Sequence, residues 1–154
     1  MEDKVKSFLV DWMVDFLKNK DMILKKMESI EKNKEGFDIY VKYNDKEQFF
    51  MVMPVLENAD ELLGRLDENR HFGLVVLNNM ENFNFLVKNW DGFARFKSLC
   101  IYFVNPFSKL DKKWIIYPYT HNNYCERNSL ERGLKAMFDM VEPLTESSIK
   151  DRFK

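Results

Sequence analysis

The chain has 154 residues, of which 45% are apolar and 32% charged, the composition of a globular domain and not of a disordered segment. Its 24 Lys and Arg nearly cancel its 25 Asp and Glu, and a net charge of −1 excludes a protein that grips nucleic acid by bulk electrostatics. Two cysteines 25 residues apart and two histidines exclude a disulfide framework and a four-ligand zinc site.

No apolar run approaches the roughly 20 residues of a membrane span, and the start Met1-Glu2-Asp3-Lys4 lacks the form of a signal peptide. The expectation is a soluble cytoplasmic protein with free thiols, no cofactor, no metal and no membrane partner. Five Gly and four Pro are too few for a flexible linker. One α/β domain is expected over residues 1–145, with a polar tail over 146–154 that frays.

Val5, Phe8, Leu9, Trp12, Met13, Phe16 and Leu17 recur at helical spacing and predict an amphipathic first helix. Met22–Ile30 fits either an extension of that helix or a strand, with the polar break Lys18–Asp21 favouring a new element. Asn33–Gly36 reads as a turn. Phe37–Tyr43 alternates as a half-buried strand, and Asn44–Glu47 connects it to an apolar strand Phe49–Val55 that Pro54 ends. Asn58, three residues before Glu61, predicts a capped short helix with Ala59, Leu62, Leu63 and Leu66 on one face.

Phe72–Leu77 is a buried strand. Asn79 then caps a helix carrying Phe83, Leu86, Val87 and Trp90, with Gly92 at its end or at a distortion. Leu99–Val104 is another buried strand, stopped at Asn105-Pro106, and Trp114–Tyr117 is a further one whose Pro118 places its end at a sheet edge. Asn128, with Glu131 following, is expected to cap a last helix through Leu130, Leu134, Met137, Phe138 and Val141, which Pro143 stops. Apolar strands between amphipathic helices predict an α/β fold with a mixed sheet flanked by helices.

The order helix, strand, hairpin strands, helix, strand over Val5–Leu77 resembles the core of the restriction-endonuclease-like PD-(D/E)XK nucleases. That resemblance implies an acid on the second core strand and an acid-x-Lys on the third, which hold Mg²⁺ and position a water. Asp38 stands where the first acid belongs. Met51 and Met53 stand where the second acid and the Lys belong, and thioethers do not suit Mg²⁺. The implied site is therefore degenerate.

Three groups of residues carry what chemistry remains. Asp38 with Glu47 or Glu57, and Lys42 as a cation, would form a displaced metal site; the plain alternative is a solvated strand face. Tyr117, Tyr119 and His121 share one direction if the strand runs on through Pro118, and with Cys125 and Glu126 they offer a ligand loop; the alternative is a polar loop with aromatic anchors. Lys109, Lys112, Lys113 and Trp114, with Lys88, Arg95 and Lys97, offer a basic aromatic patch for weak single-strand binding; the alternative is a charged hairpin tip. Phosphate-binding glycine loops and the zinc motif His-Glu-x-x-His are missing. Aromatics at 15% leave a protein partner or a homodimer open.

The function expected from these features is a catalytically inactive nuclease-like module that acts through protein or nucleic-acid binding. A metal-dependent nuclease with displaced acids is one alternative, and a small-molecule enzyme or binding protein at Tyr117–Glu126 is the other.

Overall fold

Strands that read as unbroken apolar runs need cover on both faces, and strands that alternate need it on one. A computed structural model describes residues 2–153 and shows how both needs are met; Met1, and Lys154 at the end of the expected tail, lie outside the described residues. Strands β1 (Met27–Lys34), β2 (Phe37–Tyr43), β3 (Glu47–Val52), β4 (His71–Leu77), β5 (Leu99–Val104) and β6 (Lys113–Ile116) form one mixed sheet whose spatial order is the chain order. β1, β2 and β3 are an antiparallel meander, β3, β4 and β5 are parallel, and β6 returns antiparallel to β5.

Helix α1 (Glu2–Leu24) lies on one face of this sheet. Helices α2 (Ala59–Gly64), α3 (Met80–Lys88), α4 (Trp90–Phe93) and α6 (Arg127–Asp139) send their buried residues to the other. Residues along each strand alternate between the two cores. Leu74 and Val76 join the α2–α6 side, while Val75 and Leu77 join the α1 side. The expected α/β fold with a mixed, helix-flanked sheet is thus the observed one.

Met22–Ile30 contains both of its readings. The helix continues through Leu24, and the strand begins at Met27. The reversal between them is built by Asp21, whose carboxylate accepts the main-chain N–H groups of Lys26 at 2.8 Å and Met27 at 2.9 Å. The turn after β1 is only Glu35-Gly36, both with positive φ, which glycine tolerates and the two-residue hairpin requires. The strand expected to reach Val55 stops at Val52, before Pro54. Helix α3 ends at Lys88, so the break falls at Asn89 and Gly92 lies inside α4 against Leu63. Gly73 in the middle of β4 has no room for a Cβ, because the Phe50 ring of the neighbouring strand lies over it.

Three expectations for the C-terminal third are corrected. The chain after β6 does not stay extended: Pro118 opens helix α5 (Pro118–Tyr124), a position where its missing N–H costs nothing. Helix α6 begins at Arg127, with Glu126 rather than Asn128 at its N-cap and no side-chain cap bond. The expected tail holds a helix. Thr145 and Ser148 form a reciprocal capping box for α7 (Glu146–Arg152), whose Ile149, with Phe153, packs on the α1-side core.

The carboxyl ends of the parallel strands are closed by three buried asparagines. Asn78 donates to the carbonyls of Val141 (3.0 Å) and Phe138 (3.4 Å) and accepts from the Trp114 indole N–H at 2.7 Å. Asn82 donates to Pro54 and Leu77, both at 2.8 Å, and accepts from Leu56 at 2.7 Å. Asn105 donates to Glu142 at 2.7 Å and accepts from Phe107 at 3.0 Å. Truncation of Asn82 to Ala orphans the buried Leu56 N–H and takes one of two donors from the Pro54 and Leu77 carbonyls, and a loss of about 1–3 kcal/mol in urea unfolding is expected. An unchanged unfolding midpoint would show that the bonds are energetically idle.

Candidate functional site

The acids proposed for a displaced metal site do not meet. Asp38 opens β2, where the β2–β3 ladder ends at Ile39 opposite Phe50. Its carboxylate takes over the next ladder position and accepts the Val52 N–H at 2.8 Å, while Lys6 of α1 pairs with it at 3.1 Å. Lys42 and Glu47 face each other at the far end of the same ladder, four residues or about 13 Å from Asp38 along the strand. There Glu47 accepts the Tyr40 hydroxyl at 2.7 Å and Lys42 pairs with Glu28 at 3.6 Å. Glu47 thereby holds the Tyr40 phenol up to about 12.

Glu57 lies beyond β3, in a cleft with Met53, Asn58, Glu61, Leu62 and Arg65. Met51 is sealed in the core at 1% exposure. Among the described residues, no group of three or more His, Cys, Asp and Glu side chains stands close enough to hold a metal ion.

The Tyr117–Glu126 residues are rearranged by α5. Tyr117 caps the helix, and the His121 ring nitrogen Nδ1 lies 3.0 Å from the Tyr117 carbonyl. Cys125 donates its main-chain N–H to His121 O at 2.9 Å; its side chain is free and exposed, as is Glu126. Helical turning carries Tyr119 away from His121, which turns back toward Tyr117 four residues before it, so the face shared by all three is lost. Tyr119 instead lies under the Lys97 ammonium at 5.6 Å.

What α5 does build is a network that no sequence spacing announced. Asn122 Oδ1 accepts from the Trp90 indole at 2.9 Å and from Arg127 at 3.1 Å, and Arg127 reaches Asp91 at 2.6 Å. These groups rim a shallow cleft of about 150 Å³ between α3 and α6, floored by Val87, Trp90, Leu130 and Leu134. Arg127 and Asp91 on its rim pair with each other, which describes a cross-brace between helices more than a ligand cradle.

The basic patch loses its aromatic member. Trp114 is 4% exposed, stacked on Phe103 with ring centroids 4.3 Å apart and bonded to Asn78. No base can reach it. Lys109 and Lys112 are exposed on the β5–β6 connection, and Lys113 turns back over Phe16.

The carboxyl ends of parallel strands are where α/β proteins bind ligands, at a point where the strand order reverses and leaves a crevice. Here β3, β4 and β5 follow in order and both crossovers use one face, so no such crevice opens. The asparagine bonds and residues 139–145 occupy the position. Asn82 was legible in principle as a polar residue on the apolar face of Phe83 and Leu86; Asn78 and Asn105 carried no periodic signal.

At the opposite end of the sheet, Cys100, Tyr102, Tyr43 and Tyr117 stand near one another below α1. Gln48 donates to Cys100 Sγ at 3.5 Å. Burial pushes the Cys100 thiol from 9.0 up to about 11 and the Tyr43 phenol from 10.0 up to about 12, and it raises Tyr102 and Tyr117 as well. A thiol held neutral in this way is a packing group and not a nucleophile.

Comparison with protein-family models, with curated proteins and with solved structures finds no match.

Two outcomes follow from this geometry. Asp38→Ala removes the acceptor for Val52 N–H and is expected to cost about 1–3 kcal/mol in denaturant unfolding, whereas Asp38→Asn, which keeps an acceptor, loses less. Equal losses would place the effect on the Lys6 pair instead. The folded state favours neutral Cys100, Tyr43 and Tyr102, so their contribution to stability is full below about pH 9 and is lost as pH rises toward 12. Thermal melts that stay flat across that window would contradict the burial of these groups.

Proposed function

We propose that this chain is a non-catalytic α/β binding module, similar to the restriction-endonuclease-like nucleases in arrangement and not in activity. The order α1, β1, β2, β3, α2, β4, with its antiparallel meander leading into a parallel pair, supports the likeness of arrangement. The observation that carries the loss of activity is the engagement of Asp38. Its two oxygens are committed to a main-chain N–H and to Lys6, and the third-strand positions that would complete a metal site are the buried Met51 and the half-buried Met53. One carboxylate locked into the sheet cannot supply the two-acid clamp that polarises a phosphodiester and activates water.

The binding reading favours a protein partner over a duplex. The exposed lysines of the β5–β6 connection have no exposed tryptophan to stack bases, and the chain as a whole is close to neutral.

The test is a cleavage assay on plain, branched and single-stranded DNA with Mg²⁺ or Mn²⁺. No turnover above the Asp38→Ala protein is expected. Nonspecific duplex is expected to bind no tighter than about 10⁻⁶ M at physiological salt. Cleavage by the pure protein that Asp38→Ala abolishes would overturn the proposal.

A further inference from the structure

Helix α1 is longer than the sheet it covers. Its 23 residues rise about 35 Å, while the six or seven residues of a central strand span about 20–23 Å. Its buried positions run from Val5 to Leu17 and then stop. The last turn is an overhang that carries Met22, Ile23 and Leu24 at 71%, 88% and 52% exposure, and none of the three belongs to either core. They are three consecutive large apolar residues presented to solvent.

The overhang is rigid. Asp21 holds the reversal that follows it through two main-chain hydrogen bonds, Lys25 donates its N–H to Asp21 O at 2.7 Å, and Lys25 takes a left-handed φ of 51°. A residue other than glycine in that conformation is strained. The bonds to Asp21 hold the sharp exit against that strain and keep the apolar turn clear of the sheet.

Lysines surround the apolar tip. Lys18 and Lys20 sit about one turn behind it, Lys25 and Lys26 follow it directly, and Lys46 belongs to the β2–β3 turn, whose Asn44 donates its N–H to the Lys26 carbonyl at 2.9 Å. Among the described residues none of these five takes part in an ion pair. The acids close by are mostly engaged: Asp21 by the main chain, Glu28 by Lys42 and Glu47 by Tyr40, which leaves Asp45.

The shape decides which partner fits. Consecutive helical residues point about 100° apart, so Met22, Ile23 and Leu24 together wrap about 200° of the helix end. A rigid protein surface meets one side of such a tip. A fluid apolar phase envelops all of it, and the lysines a turn behind then reach the plane of the headgroups along their apolar stems. We propose that the end of α1 docks on an anionic bilayer surface, with Met22–Leu24 inserted among the acyl chains and the lysines against anionic headgroups. Among the described residues no helix is long and apolar enough to cross a membrane, and docking on the surface needs none.

Cosedimentation of the full chain with vesicles tests this, using phosphatidylcholine alone and phosphatidylcholine with about 30 mol% phosphatidylserine, at about 0.1 M salt. Binding to the anionic vesicles at least tenfold above the neutral ones is expected. Ile23→Asp is expected to reduce that binding at least tenfold with an unchanged melting temperature, because Ile23 packs on nothing. The triple change Lys20→Glu, Lys25→Glu, Lys26→Glu is expected to erase the preference for phosphatidylserine. An Ile23→Trp reporter is expected to shift its emission to the blue when anionic vesicles are added. Absent vesicle binding, or binding indifferent to Ile23→Asp, overturns the proposal. So does a dimer in solution that Ile23→Asp converts to a monomer while vesicles are ignored, which would make the tip a self-association surface.

Discussion

The constraint on which the molecule depends is the satisfaction of main-chain groups where parallel strands end. A strand that stops inside a protein leaves carbonyls and N–H groups facing the next layer, and each one left unpaired and buried costs about as much as a lost hydrogen bond. Asn78, Asn82 and Asn105 answer this at the ends of β4 and β5 and at the loop after β3. Their amides are short, planar and able to donate and accept at once, so one side chain ties together segments that are remote in the chain. Asn78 alone joins β4, β6 and α6. The same bonds explain why the end of the sheet that hosts ligands in other α/β proteins is a closed seam here.

Asp38 illustrates the same logic on a smaller scale. At the point where β2 and β3 diverge, its carboxylate continues the ladder by accepting an N–H that the separating backbone no longer reaches. The role needs an acceptor and a short reach. It is the position that the proposed likeness to nucleases would assign to a metal ligand, so chemistry and architecture would compete there for one side chain.

Legibility followed the strength of the periodic signal. The helix through Leu17, the strands at Phe37–Tyr43, Phe72–Leu77 and Leu99–Val104, and the caps at Asn58 and Asn79 were readable because apolar spacing and capping chemistry agree there. The misreadings occurred where a local rule met a competing one. Pro118 marks the end of a strand and equally the first turn of a helix, and only the tertiary setting chooses. Asn128 has the chemistry of a cap, yet the helix starts earlier because Arg127 gains bonds to Asn122 and Asp91. Ser148 looked like a tail residue, yet it caps a helix whose Ile149, with Phe153, packs on the α1-side core. For the site, Asp38, Glu47, Glu57 and Lys42 were all found by residue type. Their separation was invisible, since strand register and the partners Val52, Tyr40 and Glu28 are long-range facts.

The agreement of sheet order with chain order has a consequence for how the protein is made. Each strand adds beside the one before it, so no later strand must insert between neighbours that are already paired. The first three can zip as a meander from local turns, and β4 and β5 then extend a growing edge with one crossover each, which keeps loop-closure entropy small at every step. Such a chain can assemble in the direction of synthesis, with its unfinished edge always at the most recent strand. Residues 139–145 follow all six strands in the chain, and their carbonyls are the acceptors for which Asn78 and Asn105 wait. A nascent chain halted before this segment would hold its sheet but leave those amide donors without their carbonyls, and arrival of the segment would be the event that locks it.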